Sequence, residues 1–149
     1  MTPCEPKTAE TAVQDRTEAL ERARTFFAGD IYATEVTGIA IDAVAPGYSK
    51  CSLTIGRRHL NAGNRVMGGV LFTLADFAFA VAANEEQPLT FTQSANITFH
   101  GPAAGTRLIA EAKEVRSGRN TCYFQVEVRD DLGNLLASVT ENGFRVRKD

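Results

Sequence analysis

A chain of 149 residues with 16 Lys and Arg against 18 Asp and Glu has a formal net charge of −2. It is long enough to bury about two-thirds of its unfolded surface as one domain, and too evenly charged to offer nucleic acid a basic footprint. Three cysteines, Cys4, Cys51 and Cys122, are odd in number and widely spaced, and His59 and His100 are the only histidines. That inventory argues against a disulfide framework and against a metal site, and it suits a cytoplasmic, reducing setting.

In chain order, residues 1–9 are polar and read as a frayed lead, with no basic start and apolar run of the secretory type. Residues 10–27 are rich in helix formers, with Val13, Leu20, Ala23 and Phe27 near one face, and Gly29-Asp30 closes that helix. Residues 31–45 alternate around Val36, Ile39 and Ile41 up to a turn at Pro46-Gly47; Cys51, Leu53 and Ile55 then mark a strand. A loop over 57–67 leads into the apolar run VMGGVLFTLADFAFAVAAN, residues 66–84. After Pro88 the period becomes two. Strands are predicted at 89–99, around 108–112, at 121–130 and at 135–146, the last bulged at Gly143, with turns at 101–105, Ser117-Gly118 and 131–134. Strands joined by such short turns pair antiparallel. One long apolar helix beside them predicts an α+β domain whose sheet wraps the helix.

Asp76 is the only ionisable residue between Val66 and Asn84. An unpaired carboxylate taken out of water costs on the order of several kcal/mol, so a lone acid in an apolar helix demands a partner or a use. At helical spacing Gly69, Thr73, Asp76, Ala80 and Asn84 form one stripe of small and polar residues, with apolar side chains covering the remainder. The stripe is expected to face a cleft or a second subunit. A membrane span is rejected: the run is marginal in length, opens on two glycines, holds a central Asp and has no basic flank.

Gly68 and Gly69 stand where the helix begins. The first four amides of a helix have no intrahelical partner and carry partial positive charge, and glycine lets a carbonyl approach them closely. Asp76 sits about 10–12 Å further along the axis, too far to share one small reacting centre with Gly68 of the same chain. A second copy packed antiparallel across a two-fold axis brings Asp76 of one chain to Gly68 of the other and creates two equivalent sites.

The segment LNAGNRVMGGVLFTLADFAFAVAAN resembles the signature of hotdog-fold acyl-CoA thioesterases, in particular the phenylacetate-degradation (PaaI-like) branch. Asn61, Met67-Gly68-Gly69 and Leu74-Ala75-Asp76 keep that family's spacing, and NITFHGPAAGTRLIAEAKEVRSGRN resembles its next strands. The resemblance, over roughly residues 30–147, implies a hotdog domain at 30–149 behind an N-terminal segment and helix at 1–29. It also implies a homodimer, paired into a tetramer, that hydrolyses acyl-CoA with no cofactor or metal beyond the CoA thioester itself. By position, Asp76 becomes base or nucleophile, the Gly68 amide the oxyanion donor, and Asn61 a residue that places water or substrate. Thr92 matches a hydroxyl that supports the water in some relatives, while Met67 and Gly69 line the substrate. Gly118 and Arg119, with Arg116, form a basic hairpin near the nucleotide end of CoA, whose phosphates suit guanidinium groups. The chain departs from the pattern at Met67, where the family carries His. A non-catalytic acyl-CoA binder is therefore the alternative. A hotdog dehydratase lacks its motif His here, and a sensor domain lacks a preceding helix-turn-helix. His59, two residues before Asn61, is weighed as a cleft residue against a solvated loop residue.

Overall fold

The computed structural model describes residues 9–146; the frayed lead expected at the start, and Cys4 within it, lie outside the described residues. The first helix, α1, is Ala9–Phe27, with Glu10 in its first turn and Arg24 in its last, the placement that the helix dipole favours. Ala19, Ala23 and Phe27 are buried and Leu20 is partly so. Val13 is exposed, contrary to expectation, because α1 packs through its second half only.

The stretch after α1 also departs from the expected alternation. Tyr32–Thr37 forms one wide π-type helical turn, which leaves Val36 exposed. Gly38 ends it at φ +82°, and a Cβ there would also collide with the Arg58 guanidinium. Only beyond it does the chain extend.

Six strands follow: β1 (Ala40–Ala45), β2 (Tyr48–Thr54), β3 (Thr90–Phe99), β4 (Arg107–Ser117), β5 (Thr121–Asp130) and β6 (Leu135–Arg145). They form one antiparallel sheet in the order β1-β2-β4-β5-β6-β3. The apolar run becomes α2, Gly68–Asn84, laid against the inner face of that sheet. Cys51, Leu53, Leu108, Ala110, Phe124, Val126 and Val139 supply the floor under it. Phe79 meets Phe124 edge-on with centroids 5.1 Å apart, and the Ser49 hydroxyl donates to the Ala78 carbonyl at 2.6 Å. Phe27 meets Phe77 at 5.5 Å and docks α1 on α2. The architecture is the expected α+β hotdog arrangement, a curved sheet around one central helix with an extra N-terminal helix.

Two details of β3 differ from the sequence reading. Its register on β6 slips between Thr92 and Ser94, so the extra residue lies in β3, opposite Gly143, and not in β6. In addition β3 is an edge strand, exposed from Phe91 to Phe99 except for half-buried Ile97, so its period of two does not divide it into a core face and a solvent face.

Candidate active site

The stripe on α2 is the open side of the helix. Gly69 is exposed, and Thr73, Asp76, Ala80 and Asn84 are half-buried, whereas Leu74, Ala75, Phe77, Ala78, Phe79, Val81, Ala82 and Ala83 are buried. Asp76 is thus presented by a rigid, core-anchored helix rather than by a loop. The Thr92 hydroxyl of β3 donates to Asp76 Oδ1 at 2.7 Å, so the structure brings together two of the residues singled out from the sequence. This bond anchors the carboxylate at one oxygen and leaves Oδ2 for other partners.

Under Asp76 lies a residue that the sequence reading missed. Glu141 of β6 is fully buried, and among the described residues no group completes a hydrogen bond to either of its carboxyl oxygens. Burial first, and then the charge of Asp76 and a hydrogen-bonding interaction with it, push the Glu141 carboxyl up to about 9. At neutral pH it is a neutral acid beside a carboxylate. A signal was present: counting by twos along β6 from Ala137 and Val139 puts Glu141 on the core face, where an isolated carboxyl is out of place.

The N-terminus of α2 is open. Met67 caps it with extended backbone (φ −67°, ψ 137°) and no side-chain cap bond, and its own side chain is exposed. Among the described residues nothing accepts from the Gly68 or Gly69 amides. A Cβ on Gly68 would stand 3.0 Å from Phe99 Cζ and 3.1 Å from Cε1, so glycine is what lets the end of β3 lie over this helix start. Asp76 stands eight positions beyond Gly68, about 12 Å along the axis; a single chain does not unite them.

Asn61 is turned to its own loop. Its Oδ1 accepts from Gly63 N at 2.9 Å and Arg65 N at 3.2 Å, an Asx-type turn that shapes residues 61–65 ahead of the helix. His59 is neither a cleft residue nor solvated. It is buried, its Nδ1 accepts from Gly56 N at 2.8 Å, and the remaining Nε2–H donates to the Thr37 carbonyl at 2.7 Å. His59 O in turn accepts from Met67 N at 2.9 Å. The histidine is a clamp that ties the approach loop to the π-type turn.

The basic hairpin lies elsewhere. Gly118 N donates to Thr121 O at 2.8 Å, and a Cβ on Gly118 would press on that carbonyl at 2.9 Å. Buried Arg145 braces the turn through the Gly118 carbonyl, Ser117 Oγ at 2.8 Å and Glu114 Oε1 at 3.1 Å. Since Thr121 pairs with Phe144 and Arg145 with Thr90, the hairpin tip sits at the C-terminal end of α2. Gly68 is at the opposite end, beneath Phe99, roughly 30 Å away along the strands. Arg119 and Gly118 therefore do not meet Gly68 within one chain. Cys51 and Cys122 are free, buried thiols; burial pushes Cys51 up to about 12 and also raises Cys122, which leaves neither as a nucleophile.

Comparison with known proteins places the fold in a family. The family model of the thioesterase superfamily matches residues 63–137, which span the α2 start, Asp76 and Thr92. A relative from Archaeoglobus fulgidus, provisionally named an esterase, is 33% identical over 90% of this chain and 88% of its own length. The acyl-coenzyme A thioesterase PaaI of Escherichia coli is 30% identical over 87% of this chain and 92% of its own. The solved structure of the E. coli PaaI protein from the phenylacetic acid degradation operon superposes with a TM-score of 0.75 at 25% identity, covering 86% of this chain and 96% of that one.

Proposed function

This chain belongs to the thioesterase superfamily and is a thioester hydrolase; from that premise we propose that it hydrolyses acyl-CoA in a site shared by two copies of the chain. The observation that carries the reading is Asp76, the one acid of α2, held by Thr92 at 2.7 Å on the helix's open stripe. A carboxylate so oriented either attacks the thioester carbonyl or takes a proton from the water that does, with Thr92 keeping it aimed. The developing oxyanion needs preorganised donors. The unused Gly68 amide at the α2 N-terminus, reinforced by the helix dipole, has that character. Water, carboxylate and amide suffice for this chemistry, and no cofactor or metal is called on.

The distance between Gly68 and Asp76 makes the partner's Gly68 the donor to each Asp76. An antiparallel pairing of two α2 helices across a two-fold axis satisfies this, and the exposed β3 edge with Phe91 and Phe99 supports such a partner, since an unpaired edge is a template for strand addition. Two dimers then pair into a tetramer. Asn61 lies on the loop that enters the partner's half of the site. Met67 and Gly69 border the acyl group, and Gly118 with Arg116 and Arg119 receives the CoA phosphates from the hairpin. The free, buried thiols Cys51 and Cys122 fit work in a reducing cytoplasm. No helix among the described residues is long and apolar enough to cross a membrane.

The test is Asp76→Asn, nearly isosteric but neither basic nor nucleophilic. Thiol release from a panel of aliphatic and aromatic acyl-CoAs is expected to fall by at least about 10²–10⁴, with calorimetric affinity for acyl-CoA retained. Wild-type turnover in this variant refutes the assignment. Tight binding by the native chain with no thiol release from any acyl group would make it a binder instead.

A further inference from the structure

We infer that Glu141 is a positioning residue for the reaction: as a neutral carboxylic acid buried beneath the site it donates a hydrogen bond to the Asp76 carboxylate and, with Thr92, clamps it from two sides. The inference rests on the proposed role of Asp76. Its own basis is geometric. Glu141 projects from the core face of β6, at the pair positions of Ala95 on β3 and Phe124 on β5, and is fully buried. Neither oxygen has a completed hydrogen bond among the described residues, and the polar group that acts on it is Asp76. A buried carboxyl with no donor around it is stable only if it keeps its own proton, and a proton held there needs an acceptor. Asp76 on α2 is the acceptor at hand.

The surroundings leave no competing partner. Asp76 is the only ionisable residue of α2, and β3 has none. On β5 the inward groups next to it are Phe124, opposite Glu141, and the buried thiol of Cys122. On β6 itself Arg145 faces inward two positions beyond Gly143. Its two Nη groups are engaged by Glu114 of β4, Ser117 Oγ and the Gly118 carbonyl, and its unpaired Nε belongs to a residue four positions, roughly 13 Å along the strand, from Glu141. Thr92 occupies Oδ1 of Asp76 from β3. A donor from β6 completes a two-point clamp on a carboxylate that otherwise could rotate about its Cβ–Cγ bond. Glu141 does not touch substrate, since it is closed off from solvent beneath Asp76. When Glu141 loses its proton at high pH the donor becomes a second negative charge, which repels Asp76 and opens the clamp.

Three proteins test this: wild type, Glu141→Gln, which keeps a donor and cannot ionise, and Glu141→Leu, which has no donor. At pH 7.5 the Gln variant is expected to lose no more than about threefold in kcat, and the Leu variant about tenfold or more, with KM changed by less than about threefold in both. The wild-type kcat is expected to fall as pH rises through about 9, and that alkaline limb to disappear in Glu141→Gln. Equal kcat in the Gln and Leu variants, or an alkaline limb that survives in Glu141→Gln, overturns the inference. Should Glu141→Leu fail to fold, carbon-13 NMR of the Glu carboxyl groups decides without activity. One carboxyl carbon, absent from Glu141→Gln, is expected to titrate near 9 in wild type and at lower pH in Asp76→Asn, where the neighbouring charge is gone. A Glu141 resonance that Asp76→Asn does not move overturns the inference as well. An active Asp76→Asn sinks the reading of Asp76 itself. An inactive Asp76→Asn beside indifferent Glu141 variants sinks only the clamp.

Discussion

Replacing Glu141 by Gln also has a thermodynamic consequence that can be measured without substrate. The wild-type carboxyl is pushed from 4.5 up to about 9 in the folded chain, by burial and then by Asp76. Between those values the folded protein retains a proton that the unfolded chain has released, so stability falls as pH rises. The contribution is fully present below 4.5, declines by about 1.4 kcal/mol per pH unit, and is gone once the folded carboxyl ionises near 9. From pH 6 to pH 8 the wild type is therefore expected to lose about 2.7 kcal/mol, or roughly 5–11 °C in Tm for a domain of this size. Glu141→Gln has no proton to release and lacks this decline. The assay is calorimetric melting of both proteins at fixed protein concentration, because any self-association also shifts Tm. Parallel Tm curves for the two proteins over pH 6–8 would mean that Glu141 is ionised or solvated, and the argument for a neutral buried acid would fall.

Gly68→Ala separates site from scaffold: the gain in helix propensity of up to about 1 kcal/mol offsets the tight contact with Phe99. Melting should move little while thiol release drops about tenfold or more, and full activity would remove Gly68 from the oxyanion site. Met67→His is expected to change kcat/KM by no more than about tenfold, ~1.4 kcal/mol of barrier; activity that appears only in the His variant would mean that the native chain is a binder. Asp130 collects Ala104 N at 3.0 Å, Gly105 N at 3.1 Å, Leu132 N at 3.1 Å and Asn134 N at 2.9 Å around one carboxylate. Burial pushes its carboxyl up, but these bonds and the Asn134 side chain outweigh it and hold the group below its ordinary 3.8. Asp130→Asn turns an NH₂ toward those donors and should cost about 1–3 kcal/mol near neutral pH by denaturant titration. The difference should shrink as pH falls below 3.8, where the wild type progressively loses the contribution of the ionised carboxylate; a constant difference down to pH 2 would contradict the assignment.

Local pattern determined a good deal about this protein. The three-to-four residue recurrence of Gly69, Thr73, Asp76, Ala80 and Asn84 in an otherwise apolar run requires one open side on a buried helix, and that side is the one left open. Gly47 and Gly133, at φ 71° and 88°, mark hairpins whose positions follow from turn chemistry alone. The family resemblance singles out Asp76 and Thr92 separately, one as base or nucleophile and the other as a support for the water; that they bond to each other is a fact of the tertiary structure. Tertiary structure decided what local pattern does not encode. Strand β3 leaves its neighbours in sequence to pair with β6 at the sheet edge, so its alternation carries no burial. His59, a loop residue by pattern, is buried because the π-type turn folds Thr37 over it. Glu141 became part of the site because pairing with β3 and β5 turns its face under α2, opposite Asp76. Periodicity states which residues share a face. Which charge another element brings to that face depends on long-range packing, and that packing is what makes a buried acid the neighbour of the Asp76 carboxylate.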